Sequence, residues 1–89
     1  MVIFVFSKFA EKRLRKLGRS EQDRVITKLQ EFKSHPDIFS ILKPLHNFEP
    51  ASHRLRIGNY RLILQLTKAS SQQVEFFVLD VGHRRDIYQ

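Results

Sequence analysis

The sequence of 89 residues contains no cysteine, which excludes disulfides and thiolate-bound zinc. No apolar run approaches the roughly 20 residues that a membrane-spanning helix needs. The opening Val2–Phe6 run is too short for the core of a signal peptide, and no basic segment precedes it. We therefore expect a soluble protein of the cytoplasm that makes no membrane contact.

Acidic residues are also scarce. Nine Asp and Glu stand against 16 Lys and Arg, which gives a net charge of +7. This surplus predicts a polyanionic partner, with nucleic acid first, an acidic protein second and an anionic membrane third. Five of the cations are expected to form the solvated face of a first helix: Lys8, Lys12, Arg13, Arg15 and Lys16.

The sequence lacks the residues that a metal-dependent nuclease needs. From Arg54 onward it holds only three carboxylates, Glu75, Asp80 and Asp86. The histidines at 46, 53 and 83 do not have the spacing of zinc ligands. Because a metal nuclease holds its ions with clustered carboxylates, we expect neither a metal nor any other cofactor.

What is present predicts one domain over residues 1–89, since 42% hydrophobic residues with eight Phe suffice for a single core. The first predicted elements are a strand at 2–6, buried on both faces, a helix from the Ser7 cap to Leu17, and a helix from Ser20 to His35. Three further strands are predicted at 53–57, 60–67 and 74–81, and the last of these is expected to be central in the sheet. Residues 36–52 are expected to be irregular and residues 82–89 a short basic tail. The order β-α-α-β-β-β predicts an α+β fold, with a helical hairpin on one face of a small, mostly antiparallel sheet.

Gly58-Asn59 reads as a two-residue hairpin turn, in which Gly58 supplies a positive φ. The turn predicts that Arg56 lies opposite Arg61. Side chains alternate along a strand, so four leucines point to one face (Leu55, Leu62, Leu64 and Leu66) and three arginines to the other, open face (Arg54, Arg56 and Arg61). Like charges directly opposite each other are unfavourable, which indicates an anionic ligand, with phosphate as the best match.

A second polar group follows the last predicted strand, where His83 and Arg84 precede Tyr88. Tyr60, at the hairpin turn, is able to face either side. Cleavage of RNA without a metal is possible if the 2′-hydroxyl attacks, arginines neutralise the phosphorane, and His83 or Tyr88 transfers protons. The alternative is that the arginine face binds an acidic protein segment without any chemistry.

Three segments together resemble the RelE/ParE superfamily of bacterial toxins: Lys43-Pro44-Leu45, the hairpin RLRIGNYRLI over 54–63, and VLDVGHRRDIY over 78–88. The resemblance implies the same β-α-α-β-β-β fold. RelE-type toxins cut mRNA in the ribosomal A site by attack of the 2′-hydroxyl, without metal. The implied partners are the ribosome, mRNA and an acidic antitoxin. With the antitoxin, the toxin would form a heterotetramer or a larger complex.

The resemblance also implies roles for individual residues. The implied catalytic residues are Arg61, Arg84, Tyr88 and His83, and the implied RNA- and phosphate-binding residues are Arg54, Arg56, Lys43 and Arg85. Arg61 would stabilise the transition-state charge, and Tyr88 would stack on or activate the cut nucleotide.

Two positions depart from well-studied RelE enzymes, which carry lysine where this chain has Ser52 and His83. The general base is therefore His83 or Glu49. The ParE branch shares the fold but acts on DNA gyrase without nuclease chemistry. The retained tyrosine and arginines favour the RelE branch.

Overall fold

A computed structural model describes residues 1–87 and contains a five-stranded mixed sheet with two main helices. The elements, in chain order, are β1 Val2–Phe6, α1 Lys8–Arg15, α2 Arg19–Phe32, the 3-10 helix Ile38–Ile41, β2 Leu42–Pro44, β3 His53–Ile57, β4 Tyr60–Ala69, β5 Val74–His83 and α3 Arg84–Ile87. The strand order is β1-β5-β4-β3-β2, in which only the β1–β5 pair is parallel. The predicted α+β class with a helical hairpin on a mostly antiparallel sheet is confirmed.

Side chains cap both ends of α1, the first helix of the hairpin. Ser7 is extended (φ −68°, ψ 161°), and its Oγ accepts a hydrogen bond from the Ala10 N–H at 3.0 Å. At the other end, Gln22 Nε2 donates to the carbonyls of Arg15 at 3.2 Å and Leu17 at 2.9 Å. These bonds satisfy main-chain groups that a helix end leaves without partners.

We expect Ser7→Ala to destabilise the domain by about 1 kcal/mol, because it leaves a donor of the first turn of α1 unsatisfied. The loss would be measured as a lower urea midpoint. Ser20→Ala is the matched control, since the Ser20 hydroxyl is exposed and bonds only Glu21. Equal midpoints for the two variants would contradict the capping role.

The core lies between the helices and one face of the sheet. Its largest fully buried side chains are Phe76, Leu55, Leu62, Leu64, Val25, Val78 and Val81. Leu66 is partly buried and packs against this cluster, as the alternation predicted. None of the described helices is long and apolar enough to span a membrane.

The structure corrects three sequence-based expectations. β1 is an edge strand and is not buried on both faces, since Val5 is 44% exposed. The segment predicted to be irregular contains β2, which pairs with β3 at the opposite edge. The predicted basic tail begins with the last residues of β5 and a short helix, α3.

The β3–β4 hairpin has the predicted register. Ile57 pairs with Tyr60, and Arg56 pairs with Arg61. Gly58 has the predicted positive φ of 59°. An added Cβ would lie 3.4 Å from Nη1 of Arg24, which is ordinary contact, so it is the positive φ that requires glycine here. The turn therefore depends on glycine, and it fixes which arginines face each other.

Candidate nucleic-acid interface

Four cationic side chains lie next to one another on three neighbouring strands: Lys43, Arg54, Arg56 and Arg61, here called the cationic row. Lys43 of β2 is directly opposite Arg54 of β3, and Arg56 is directly opposite Arg61 of β4. Their strand neighbours Leu42, Leu55 and Leu62 belong to the buried core. Because side chains alternate, the cationic row occupies the sheet face away from that core.

The cationic row is only partly open, which corrects the expectation of an exposed arginine face. Lys43 and Arg56 are exposed and Arg54 is half-buried, but Arg61 is only 6% exposed. Pairing explains the difference, because Arg61 has strand partners on both sides, Arg56 and Gly82, whereas Arg56 lies beyond the end of the β2–β3 pairing.

The arginines of the cationic row are held by the chain itself. Nη1 of Arg61 donates to the Tyr60 carbonyl at 3.3 Å, and Nε of Arg56 donates to the Gly58 carbonyl at 3.4 Å. Arg54 and Arg61 both have further partners in the molecule. The guanidiniums are thus oriented before any ligand arrives, which reduces the entropy lost on binding.

The charges of the exposed members are not neutralised by carboxylates. Within residues 1–87, the ion pairs are Arg13–Asp80, Arg15–Glu11 and Lys28–Glu31, and none includes Lys43 or Arg56. Each of these two lies directly opposite another cation, Arg54 or Arg61, and like charges opposite each other are unfavourable on a sheet. A bound phosphate would relieve this repulsion and accept hydrogen bonds from the guanidinium forks.

His83 does not join the cationic row. It pairs with Tyr60, one position beyond the Arg61–Gly82 pair, so its side chain points to the opposite face. The reason is a β-bulge, since Ile63 pairs with Asp80 and Leu64 with Val78, which leaves Leu79 without a partner. This extra residue reverses the alternation in the second half of β5.

On its own face, His83 lines a groove of about 510 Å³, here called the α1–β5 groove. The groove is formed by Arg13, Lys16, Leu17, Tyr60 and residues 81–83. The rings of Tyr60 and His83 are 5.7 Å apart at 78°. Nδ1 of His83 accepts a hydrogen bond from the Arg85 N–H at 3.2 Å, so the neutral ring carries its proton on Nε2. As placed, this histidine is a hydrogen-bond donor to any ligand.

The sequence analysis did not identify Arg13 and Lys16 as residues of this groove, because it assigned them to the solvated face of the first helix. Arg13 is not free in solvent: its Nε lies 3.6 Å from Oδ1 of Asp80, and its guanidinium lies 5.7 Å from the Phe9 ring centre. The spacing of Arg13, Lys16 and Leu17 at i, i+3 and i+4 places them on one side of the helix, and it was the available signal.

The remaining predicted residues lie near the hairpin turn or outside the described residues. Arg84 and Arg85 are exposed at the start of α3, and the Arg84 N–H donates to the Asn59 carbonyl at 2.9 Å. This bond ties α3 to the turn. Tyr88 lies outside the described residues 1–87.

Ser52 has a structural role at the position where RelE enzymes carry lysine. Its Oγ accepts from the Leu66 N–H at 2.8 Å and contacts Nδ1 of His53 at 2.9 Å. Glu49, the other candidate base, is exposed in the loop before β3. Among the described residues, no group of three His, Cys, Asp or Glu is placed to hold a metal ion.

His53 is packed between the rings of Phe39 and Phe76, at 5.5 and 5.9 Å, and burial lowers its pKa. The unfolded chain therefore takes up a proton at a higher pH than the folded one, so this residue reduces stability as the pH falls below about 6.5.

We expect His53→Gln to lessen the loss of unfolding free energy between pH 7.5 and 5.5, measured with urea. The exposed His46→Gln is the control, and an unchanged pH slope in His53→Gln would refute the assignment.

Comparison with known proteins agrees with this geometry. The family model described as the ParE toxin of type II toxin–antitoxin systems, parDE, matches residues 4–88. The isolated RelE toxin of E. coli is similar at 27% identity and a TM-score of 0.64, over 97% of this chain and 89% of that one. The E. coli RelBE toxin–antitoxin complex matches at 29% identity and 0.61, over 91% and 94%.

The RelBE2 complex of Mycobacterium tuberculosis shares the fold. It matches at 24% identity and a TM-score of 0.62, over 92% of this chain and 96% of that one. No curated protein matches the sequence. The family match spans nearly the whole chain, and the hairpin and tail motifs lie inside it. The chain therefore belongs to the RelE/ParE superfamily, as a ParE-family toxin of a type II toxin–antitoxin system.

Proposed function

We propose that this toxin cleaves mRNA in the A site of the ribosome, without a metal. The observation that supports this most strongly is the cationic row, because Arg56 and Lys43 offer exposed positive charge beside the enclosed Arg61. The 27–29% identity to RelE structures favours the same reading. In the reaction, the 2′-oxygen bonds to phosphorus, the bond to the 5′-oxygen breaks, and a 2′,3′-cyclic phosphate and a 5′-hydroxyl form.

The residues would have different roles according to their position in the cationic row and at the end of β5. Lys43 and Arg56, both exposed, would bind phosphates of the incoming strand, together with Arg54 and Arg85. Arg61 would stabilise the negative charge that develops on the phosphorane. Arg84 and Tyr88 would act at the same linkage from the end of the chain.

The site offers several cations for charge stabilisation but fewer groups for proton transfer. The 2′-hydroxyl proton must pass to a base, for which Glu49 is an exposed carboxylate. His83 accepts from the Arg85 N–H through Nδ1, so its neutral ring offers an Nε2–H that suits hydrogen bonding to an oxygen better than proton abstraction, and the doubly protonated ring would be the form that protonates the 5′-oxygen. A site that relies on charge and orientation more than on a strong base requires the substrate to be positioned for it, which agrees with dependence on the ribosome.

Toeprinting on purified ribosomes tests the proposal. Added toxin should produce cuts within the A-site codon that EDTA does not prevent. The same mRNA without ribosomes should stay intact. Growth arrest in cells combined with uncut mRNA on ribosomes would refute the proposal.

A second candidate function, inhibition of DNA gyrase, is favoured by the ParE family match and by Ser52, whose hydroxyl is bonded to the main chain where RelE has a lysine. A supercoiling assay with purified gyrase separates the two. Tyr88→Phe separates the nuclease from a third hypothesis, a binding module without chemistry: a nuclease should lose rate, whereas a pure binder should lose little.

We also propose an acidic antitoxin as the partner in the cell, in a heterotetramer or larger complex in the cytoplasm. Three observations support it: the net charge of +7, the exposed cations of the cationic row, and the similarity to toxins solved with RelB antitoxins. An acidic segment would cover the same cations that RNA requires, so its binding would suppress the toxin.

A further inference from the structure

The α1–β5 groove combines aromatic rings with cations and lies outside the cationic row. We propose that it binds one nucleotide of the single-stranded RNA substrate, with the base against Tyr60 and His83 and the phosphate toward Lys16. This inference rests on the proposed function, because it names a second contact for the same RNA.

The size of the groove suits such a ligand. Its volume of about 510 Å³ falls within the roughly 300–1,000 Å³ of small-molecule sites. Leu17 and Val81 give the lining apolar surface, and Arg13, Lys16, Tyr60 and His83 give it polar groups. A groove with this division accommodates a flat base together with its charged phosphate.

The two rings supply a stacking surface. Tyr60 and His83 are both half-buried, and their edge-to-face contact at 5.7 Å holds each ring in place. The bond from the Arg84 N–H to the Asn59 carbonyl anchors the chain directly after His83. Stacking on an aromatic ring is tolerant of base identity, so the groove would accept any base.

The charges favour an anion on the same side. Lys16 is exposed and forms no ion pair within the described part of the chain. The nearby carboxylate, Asp80, already accepts from the Val81 N–H at 2.8 Å and pairs with Arg13. The groove therefore keeps a net positive charge, to which the Nε2–H of His83 adds a donor.

The groove adjoins the cationic row. Gly82 lines the groove, and it is also the strand partner of Arg61. The two binding surfaces thus lie on opposite faces of the sheet at the same end of β4 and β5. A single strand that bends around this end would contact both, and the cut linkage at Arg61 would be flanked by an anchored nucleotide.

NMR titration of the full chain with uridine 5′-monophosphate tests the groove directly. The ring C–H signals of His83 and Tyr60 should shift saturably, while those of the exposed His46 should not. Lys16→Ala should weaken binding roughly fivefold, and Tyr60→Leu roughly tenfold. Lys12→Ala is the matched control, since Lys12 is an exposed cation of α1 outside the groove.

Three outcomes would overturn the inference: no saturable shift at His83, equal shifts with inorganic phosphate, or equal weakening by Lys12→Ala and Lys16→Ala. Amide spectra of each variant show whether it is folded, and Lys16→Gln repeats the test if Lys16→Ala is not. Nucleotide binding without cleavage on ribosomes would refute the proposed function and leave the groove assigned. Cleavage without nucleotide binding would refute only the groove.

Discussion

Arg61→Ala is expected to lower the rate of mRNA cleavage on programmed ribosomes by about 100- to 1,000-fold, the usual cost of removing a group that stabilises transition-state charge. Arg61 is 6% exposed and stands opposite Arg56, so its charge acts in a site with little water. Electrostatic interactions are stronger in such surroundings than at an open surface. Single-turnover cleavage with saturating toxin measures the effect.

Arg19→Ala is the control for this experiment, because it removes one positive charge from an exposed position at the start of α2. It should change the rate little, as a single diffuse surface charge contributes little. Arg13 serves less well because it pairs with Asp80 and lines the α1–β5 groove. Arg61→Lys keeps the charge but loses the planar fork, so an intermediate rate is expected.

Urea unfolding of the Arg61 variants distinguishes lost chemistry from lost structure. A variant that retains wild-type stability but loses cleavage assigns Arg61 to the reaction. Equal losses in Arg61→Ala and Arg19→Ala would instead mean that only the total charge matters, and the role of Arg61 would be refuted.

Phe76→Ala should have the largest effect on stability, a loss of about 3–5 kcal/mol. Phe76 is fully buried in β5, and its ring lies 5.9 Å from each of the rings of Phe4, Phe39 and His53. Truncation removes the side chain on which β1 and the 3-10 helix both pack. The free energy of unfolding of a small domain is only about 5–15 kcal/mol, so this substitution would remove a large part of it.

The control for Phe76→Ala is Phe48→Ala, which truncates a ring that is 63% exposed and should cost less than about 0.5 kcal/mol. Phe76→Leu keeps most of the volume and should fall between the two. Urea midpoints for the three variants provide the test. A Phe76→Ala loss no larger than that of Phe48→Ala would show that the core is not organised around this ring.

The sequence predicted the β3–β4 hairpin well because its determinants are local. Gly58 permits the turn, and the turn sets the register of every pair up to Leu55–Leu62. The cap of α1 was equally predictable, since Ser7 bonds a main-chain group only three residues away. The cationic row follows from these local features, except for its fourth member, Lys43.

Features that depend on distant contacts were not predictable. β2 is three residues long and contains Pro44, and only its pairing with β3 makes it a strand. The burial of Arg61 follows from its strand partners on both sides, Arg56 and Gly82, and the pairing with Gly82 is encoded by no local pattern. The bulge at Leu79 is decisive for the site, because it turns His83 from the arginine side to the groove.

The parallel pairing of β1 with β5 has a consequence for how the protein is made. Val2 pairs with Val74 and Phe6 with Val78, so β1 has no strand partner until β5 has been synthesised. Contacts this distant in sequence form late. The nascent toxin thus completes its sheet only after β5 has been synthesised, and that delay gives the proposed antitoxin time to be present before the fold is complete.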